Sequence, residues 1–273
     1  MRSDKVPRAL RDVNSRRPLK KNLQIKTATS SIFLLGNLIM LEIFRNERSM
    51  LNIRTIFFDL DGTLIDTEPS AIEALKNCFL QWKMPLDTED LAHMMGRTWE
   101  SGFARLFQKY TPPLPQEEAK KKILATYRSL VRSHLVAVPG SVQAVIDLAK
   151  HFPLALVSGS KRSDILWSLE TLKIQDHFQC ILGAEDYPQS KPAPDGYQKA
   201  LQLLKAQPEN TLIFEDSHVG LRSAQAVGAW VVAVTYSNPF HEDISQAHFK
   251  IPDLKMVSRA WVENLKSPCN NDR

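Results

Sequence analysis

Cysteine is scarce in this chain. Cys78, Cys180 and Cys269 are the three among 273 residues, far apart and with no CxxC spacing. That pattern excludes a disulfide framework and a structural zinc site, and it suits a reducing compartment, so the expected location is cytoplasmic. Long apolar runs are lacking too. The run Ile32–Leu41 has ten residues and contains Gly36 and Asn37. A bilayer needs about 20 apolar residues, so no stable membrane insertion is expected. No A-x-A-like cleavage site follows that run, which counts against a signal peptide. None of the seven histidines stands at metal-ligand spacing. There is no internal repeat and no low-complexity segment.

Composition is otherwise ordinary for a globular protein, with 43% hydrophobic and 24% charged residues in 31.0 kDa. The length allows one large domain or two of usual size. Net charge is +5, but it is unevenly spread. Residues 1–50 hold 11 Lys/Arg against 4 Asp/Glu; residues 51–273 hold 24 against 26. The body therefore offers no electrostatic reason to bind nucleic acid. Residues 1–50 are expected to be a basic extension, disordered or targeting, and Met40 and Met50 are alternative starts.

At Ile53 the pattern changes. Arg54–Phe58 is a β-branched and aromatic run that predicts a buried strand, ended by the acidic turn Asp59-Leu-Asp-Gly62. From Pro69 to about residue 137 apolar residues recur at helical spacing, and Lys120–Lys122 reads as a solvated helix face. After the turn Val138-Pro-Gly140 the chain alternates. Helices are predicted over 141–151, 161–172, 195–205 and 218–227. Each is followed by a strand, over 154–157, 180–182, 211–214 and 230–234 respectively. Such alternation predicts an α/β fold, a doubly wound parallel sheet with helices on both faces.

In such sheets ligands bind at the carboxyl ends of the strands. Those ends carry Asp59 and Asp61, Ser158-Gly159-Ser160, Lys191, and Glu215-Asp216. Clustered carboxylates raise one another's pKa and need a compensating cation. Mg²⁺ suits a few carboxylates with water and phosphate, a hydroxyl before a helix binds an anion, and a lysine completes the clamp. Together these groups describe phosphoryl transfer through an aspartyl-phosphate.

The same residues carry a family resemblance. FFDLDGTLIDTEP (57–69) resembles the first motif of the haloacid dehalogenase-like superfamily. Ser158 in LVSGSKRSD, Lys191 in SKPAPDGY and Glu215-Asp216 in IFEDSHVG are similar to its other three motifs, in order. The resemblance covers about residues 51–237 and implies a Rossmann-like core over 51–66 and 138–273, with an inserted helical cap over 67–137. Asp59 is implied as nucleophile and Asp61 as general acid and base. Ser158, Gly159 and Lys191 are implied to bind phosphate. The metal, Mg²⁺, would be held by Asp59, Asp216 and the Asp61 carbonyl, with Glu215 in the same shell or behind it. Gly96 and Arg97, in a cap loop, resemble the subgroup's substrate-specificity residues.

Within the superfamily, an acid at Asp61 favours P–O chemistry over dehalogenation. The mutase subgroup has a histidine ten residues on, where this chain has Ala71, which favours hydrolysis. The expected activity is thus hydrolysis of a small phosphorylated metabolite, a sugar phosphate or phosphoglycolate, by a monomer or weak oligomer. The alternatives are a β-phosphoglucomutase-like phosphotransferase and a non-catalytic regulator. Trp82, Trp99 and Trp167 are read as packing residues, and His218 draws interest only because it follows the last motif.

Overall fold

Thr55–Phe58 is buried at all four positions and forms the first strand, β1, at the centre of the sheet. The computed structural model describes residues 49–94, 99–237 and 243–268. Gly96 and Arg97, Cys269 and all of the basic extension but Ser49 and Met50 lie outside the described residues. Five further strands follow: β2 (Leu154–Val157), β3 (Cys180–Leu182), β4 (Thr211–Glu215), β5 (Trp230–Val234) and β6 (Phe249–Ile251). All pairings are parallel, in the order β3-β2-β1-β4-β5-β6. This is the doubly wound, Rossmann-like order, whose direction of winding reverses between β1 and β4.

Successive side chains of a strand face opposite sides of the sheet. Ile56 and Phe58 accordingly enter one core cluster, with Val145 and Leu148 of α5 (Ser141–Leu148) and Ile165 and Leu169 of α6 (Arg162–Thr171). Phe57 enters the other, with Tyr197 and Leu201 of α7 (Asp195–Leu204) and Leu221 of α8 (His218–Ala226). A short α9 (Arg259–Glu263) adds Val262 to the first cluster. Both faces of the sheet are therefore covered, as the near-continuous apolar strands require.

Between β1 and α5 lie α1 (Glu68–Gln81), α2 (Thr88–Met94), α3 (Trp99–Lys109) and α4 (Gln116–Ser133). Pro69 in the first turn of α1 fits there because that turn needs no backbone donor. Leu75, Phe79, Phe103 and Ile123 close a third cluster that belongs to these helices alone. Among the described residues this stretch contains no strand. The two connecting segments touch at an isolated bridge, Ile65 to Ala137. No described helix is long and apolar enough to cross a membrane.

The helix over 141–151 stops at Leu148, because Ala149–His151 tighten into a turn; the other helices end within one residue of their predicted bounds. Sequence reading missed β6 and α9 altogether.

Candidate active site

Every strand-end residue singled out above converges on the carboxyl edge of β1, β2 and β4. Phe58 is in register with Phe214, so Asp59 and Glu215 leave adjacent strands side by side, and the Asp59 N–H donates to the Phe214 carbonyl at 3.0 Å. Asp59, Glu215 and Asp216 are all buried, and each offers a carboxylate oxygen within 4.8 Å of the others. The Lys191 Nζ reaches across from the segment before α7. It donates to Asp59 Oδ1 and to Glu215 Oε1, each at 2.5 Å, and to the Val157 carbonyl at 3.0 Å. Glu215 is wholly enclosed and accepts a further bond from the Tyr197 hydroxyl at 2.8 Å. Its carboxylate thus anchors the lysine.

Burial raises the Asp59 carboxyl well above the ordinary range; Lys191 pulls it back only in part, and the carboxylates of Glu215 and Asp61 push it up. Asp216 is raised in the same way, by burial first and then by Asp59 and Glu215. Burial opposes the charge on Lys191, but Asp59 and Glu215 outweigh it and hold the ammonium well above its usual value. One ammonium does not balance three buried carboxylates. The donors are hard oxygens, and the cluster lacks positive charge, so the residues present fit a Mg²⁺ ion. Space has been kept for the arrangement as well. A Cβ on Gly62 would lie 1.9 Å from Asp216 Oδ2.

Asp61 stands beside this cluster. Its Oδ2 accepts from Ser160 Oγ at 2.7 Å and Ser158 Oγ at 3.3 Å, and its Oδ1 faces the Tyr127 hydroxyl at 3.5 Å. Ser158 is buried, and its Oγ in turn accepts from the Ser160 N–H. Asp59, Asp61, Ser158, Gly159, Lys191 and Asp216 all line one cavity of about 310 Å³. Its opposite wall comes from the helical insertion, through Glu68, Ala71, Met94, Trp99 and Tyr127.

Strand-ends, a lysine and buried carboxylates on a doubly wound sheet restrict the family closely, and a model described as haloacid dehalogenase-like hydrolase matches residues 56–234. The chain belongs to this family. Among its relatives, Pyrophosphatase PpaX of Oceanobacillus iheyensis is 29% identical over 219 residues, 76% of this chain and 96% of that protein. Protein CbbY of Rhodobacter capsulatus is 29% identical over 231 residues, 79% of this chain and 100% of that protein. The solved structure of CbbY from Rhodobacter sphaeroides in complex with phosphate has a similar fold. Its TM-score is 0.66 at 22% identity, covering 78% of this chain and 100% of that one.

Several side-chain roles in this family site escaped the sequence reading, that of Ser160 just after β2 among them. Trp99, expected only to pack, lies 5.3 Å from the Phe103 ring at a tilt of 30° and also lines the cavity. Thr63 donates to Asp216 Oδ1 at 3.3 Å, and Ser160 and Tyr127 hold Asp61. Thr63 and Ser160 sit inside motif segments, so proximity was a usable signal for them. Tyr127 is 66 residues from Asp61 and left none. His218, by contrast, points its Nδ1 at the Asp243 carbonyl, and it is not among the residues lining the cavity.

Proposed function

We propose that the chain is a Mg²⁺-dependent phosphatase that hydrolyses a small phosphorylated metabolite, of sugar-phosphate or phosphoglycolate type, through an aspartyl-phosphate on Asp59. The observation that carries this reading is the convergence of Asp59, Asp61, Ser158, Lys191 and Asp216 on one cavity. A relative named as a pyrophosphatase supports hydrolysis as the outcome.

In this reading Asp59 attacks the phosphorus as the ester P–O bond breaks. Asp61 gives its proton to the departing oxygen, then takes one from the water that attacks the aspartyl-phosphate. Lys191 favours the ionised form of Asp59 against the burial that raises its carboxyl, and binds the phosphoryl oxygens together with Ser158 Oγ and the backbone at Gly159. Mg²⁺ would be held by Asp59, Asp216 and the Asp61 carbonyl, with Glu215 behind them, and when bound it offsets charge on the transferring group. The segment 67–137 acts as a cap over the core of 51–66 and 138–273, and excludes bulk water during transfer. Gly96 and Arg97 would set substrate specificity from the cap.

Ala71 lines the cavity wall where the mutase subgroup carries histidine, which favours water over a sugar hydroxyl as the acceptor. The test is phosphate release from p-nitrophenyl phosphate and from a panel of phosphorylated metabolites. Release requires added Mg²⁺ and vanishes in Asp59→Asn. With β-glucose 1-phosphate and a trace of the bisphosphate, inorganic phosphate appears faster than glucose 6-phosphate. Activity in Asp59→Asn, or faster formation of glucose 6-phosphate, rejects the reading.

A further inference from the structure

The Asp61 carboxylate is gripped from two directions. Two hydroxyls of the loop after β2, on Ser158 and Ser160, converge on Oδ2. The grip on Oδ1 comes from the helical insertion, where the Tyr127 hydroxyl on α4 stands 3.5 Å away. Tyr127 is the place where the insertion reaches this acid. Burial pushes the Tyr127 phenol well above its usual value. It is therefore a neutral donor at working pH. The ring is fixed by Trp99, 5.2 Å away between centroids and inclined at 60°. Tyr127 also walls off a second, small cavity of about 40 Å³ that lies beside Asp61, Arg128 and Asp164.

We propose that Tyr127 is a positioning residue for Asp61: its hydroxyl orients the proton-carrying carboxyl toward the leaving oxygen, and ties that orientation to the seating of the insertion on the α/β core. The inference rests on the reading of Asp61 as general acid. A carboxylate oxygen has two acceptor sites. On Oδ1 the tyrosine takes one and leaves the other to hold the proton that passes to the departing oxygen. With Oδ2 tied to the serines, the hydroxyl on Oδ1 fixes the plane of the group. A separation of 3.5 Å is long for a hydrogen bond, as resting catalytic contacts often are before substrate draws them in. If the insertion lifts away, the acid loses this partner.

The experiment uses Tyr127→Phe, which keeps the ring and removes the hydroxyl, and two esters that differ in their need for a proton. Phenyl phosphate releases a phenoxide whose conjugate acid has a pKa of about 10; p-nitrophenyl phosphate releases a far more stable anion. In kcat/KM, which reports transfer to Asp59 and not breakdown of the intermediate, Tyr127→Phe is expected to lose about tenfold on phenyl phosphate and less than about twofold on p-nitrophenyl phosphate. In an Asp61→Asn background, adding Tyr127→Phe costs nothing further on phenyl phosphate. The ratio between the two esters does not depend on the fraction of protein folded. Equal losses on both esters, or an undiminished loss in the Asp61→Asn background, overturn the proposal. A wild-type protein inactive on both esters overturns the phosphatase reading itself, and this inference falls with it.

Discussion

Gly62 and Gly220 make room for the two acidic side chains at the end of β4. Gly62 has a φ of +80°, a conformation that costs an L side chain strain, and its missing Cβ leaves space for Asp216. A Cβ on Gly220 would lie 2.0 Å from the Glu215 carboxyl carbon. Gly62→Ala is therefore expected to destabilise the fold by roughly 1–3 kcal/mol and to weaken Mg²⁺ binding in calorimetry. Unchanged metal affinity would separate Gly62 from the metal site. The charges of the cluster set a second expectation. Asp59 is raised by burial and by Glu215 and Asp61, and Asp216 by burial and by Asp59 and Glu215. A carboxyl whose folded pKa lies above its unfolded value, about 3.9, adds stability below that value. The contribution is lost as pH rises through the raised folded pKa. In EDTA, the melting temperature of the wild type should therefore fall relative to that of Asp216→Asn as pH rises above about 4. Added Mg²⁺ should restore more stability at the higher pH. Parallel profiles for the two proteins would show that this charge is already balanced. At this scale the sequence disclosed Asp59, Asp61, Ser158, Glu215 and Asp216, because each ends or closely follows a strand, and Lys191, because it opens the Lys-Pro-Ala-Pro-Asp segment before a helix. It did not disclose Tyr127 or Trp99, whose roles come from the docking of helices onto the site.

Element by element, legibility followed length and burial. β1, β2 and β4 are apolar runs without polar interruption, so they stood out. β6 has three residues with Lys250 exposed at its centre, and it exists because Phe249 and Ile251 pair with Val232 and Val234 of β5. α9 has five residues, fewer than two turns, and Ser258 caps it by accepting from the Trp261 N–H at 3.3 Å. Neither offers a window long enough for periodicity. α1 shows the opposite case, where the period identifies what is buried. Leu75 is fully enclosed between α1 and its neighbours, whereas Leu80 is 77% exposed on the same helix. Leu75→Ala should cost roughly 2–5 kcal/mol and Leu80→Ala no more than about 0.5 kcal/mol in urea unfolding. Similar costs at the two positions would mean that α1 is not held by the face assigned here.

On the scale of the whole molecule, the insertion and the α/β core meet at the cavity and again behind it. There Asp164 of α6 accepts two arginines of α4, Arg128 Nε and Arg132 Nη2, each at 3.2 Å. Arg132 also lies 5.6 Å from the centre of the Trp167 ring. These groups are partly solvated, so the pair adds at most about 1 kcal/mol to folding. The same energy acts differently if the insertion opens and closes as the proposed cap. Two states separated by a few kcal/mol change their populations about fivefold for each 1 kcal/mol of bias. Asp164→Asn should accordingly leave the melting temperature within about 2 °C of wild type. It should lower kcat/KM by about threefold to fivefold, since closure precedes transfer. Salt gives the decisive comparison. Raising the ionic strength screens exposed pairs over a Debye length that falls from about 10 Å at 0.1 M to about 3 Å at 1 M, so wild-type kcat/KM should decline as the latch weakens. Screening of the phosphate and the metal acts on both proteins alike. The excess decline in wild type over Asp164→Asn therefore measures the latch, and equal salt dependence in the two would show that Arg128 and Arg132 do not hold the cap closed.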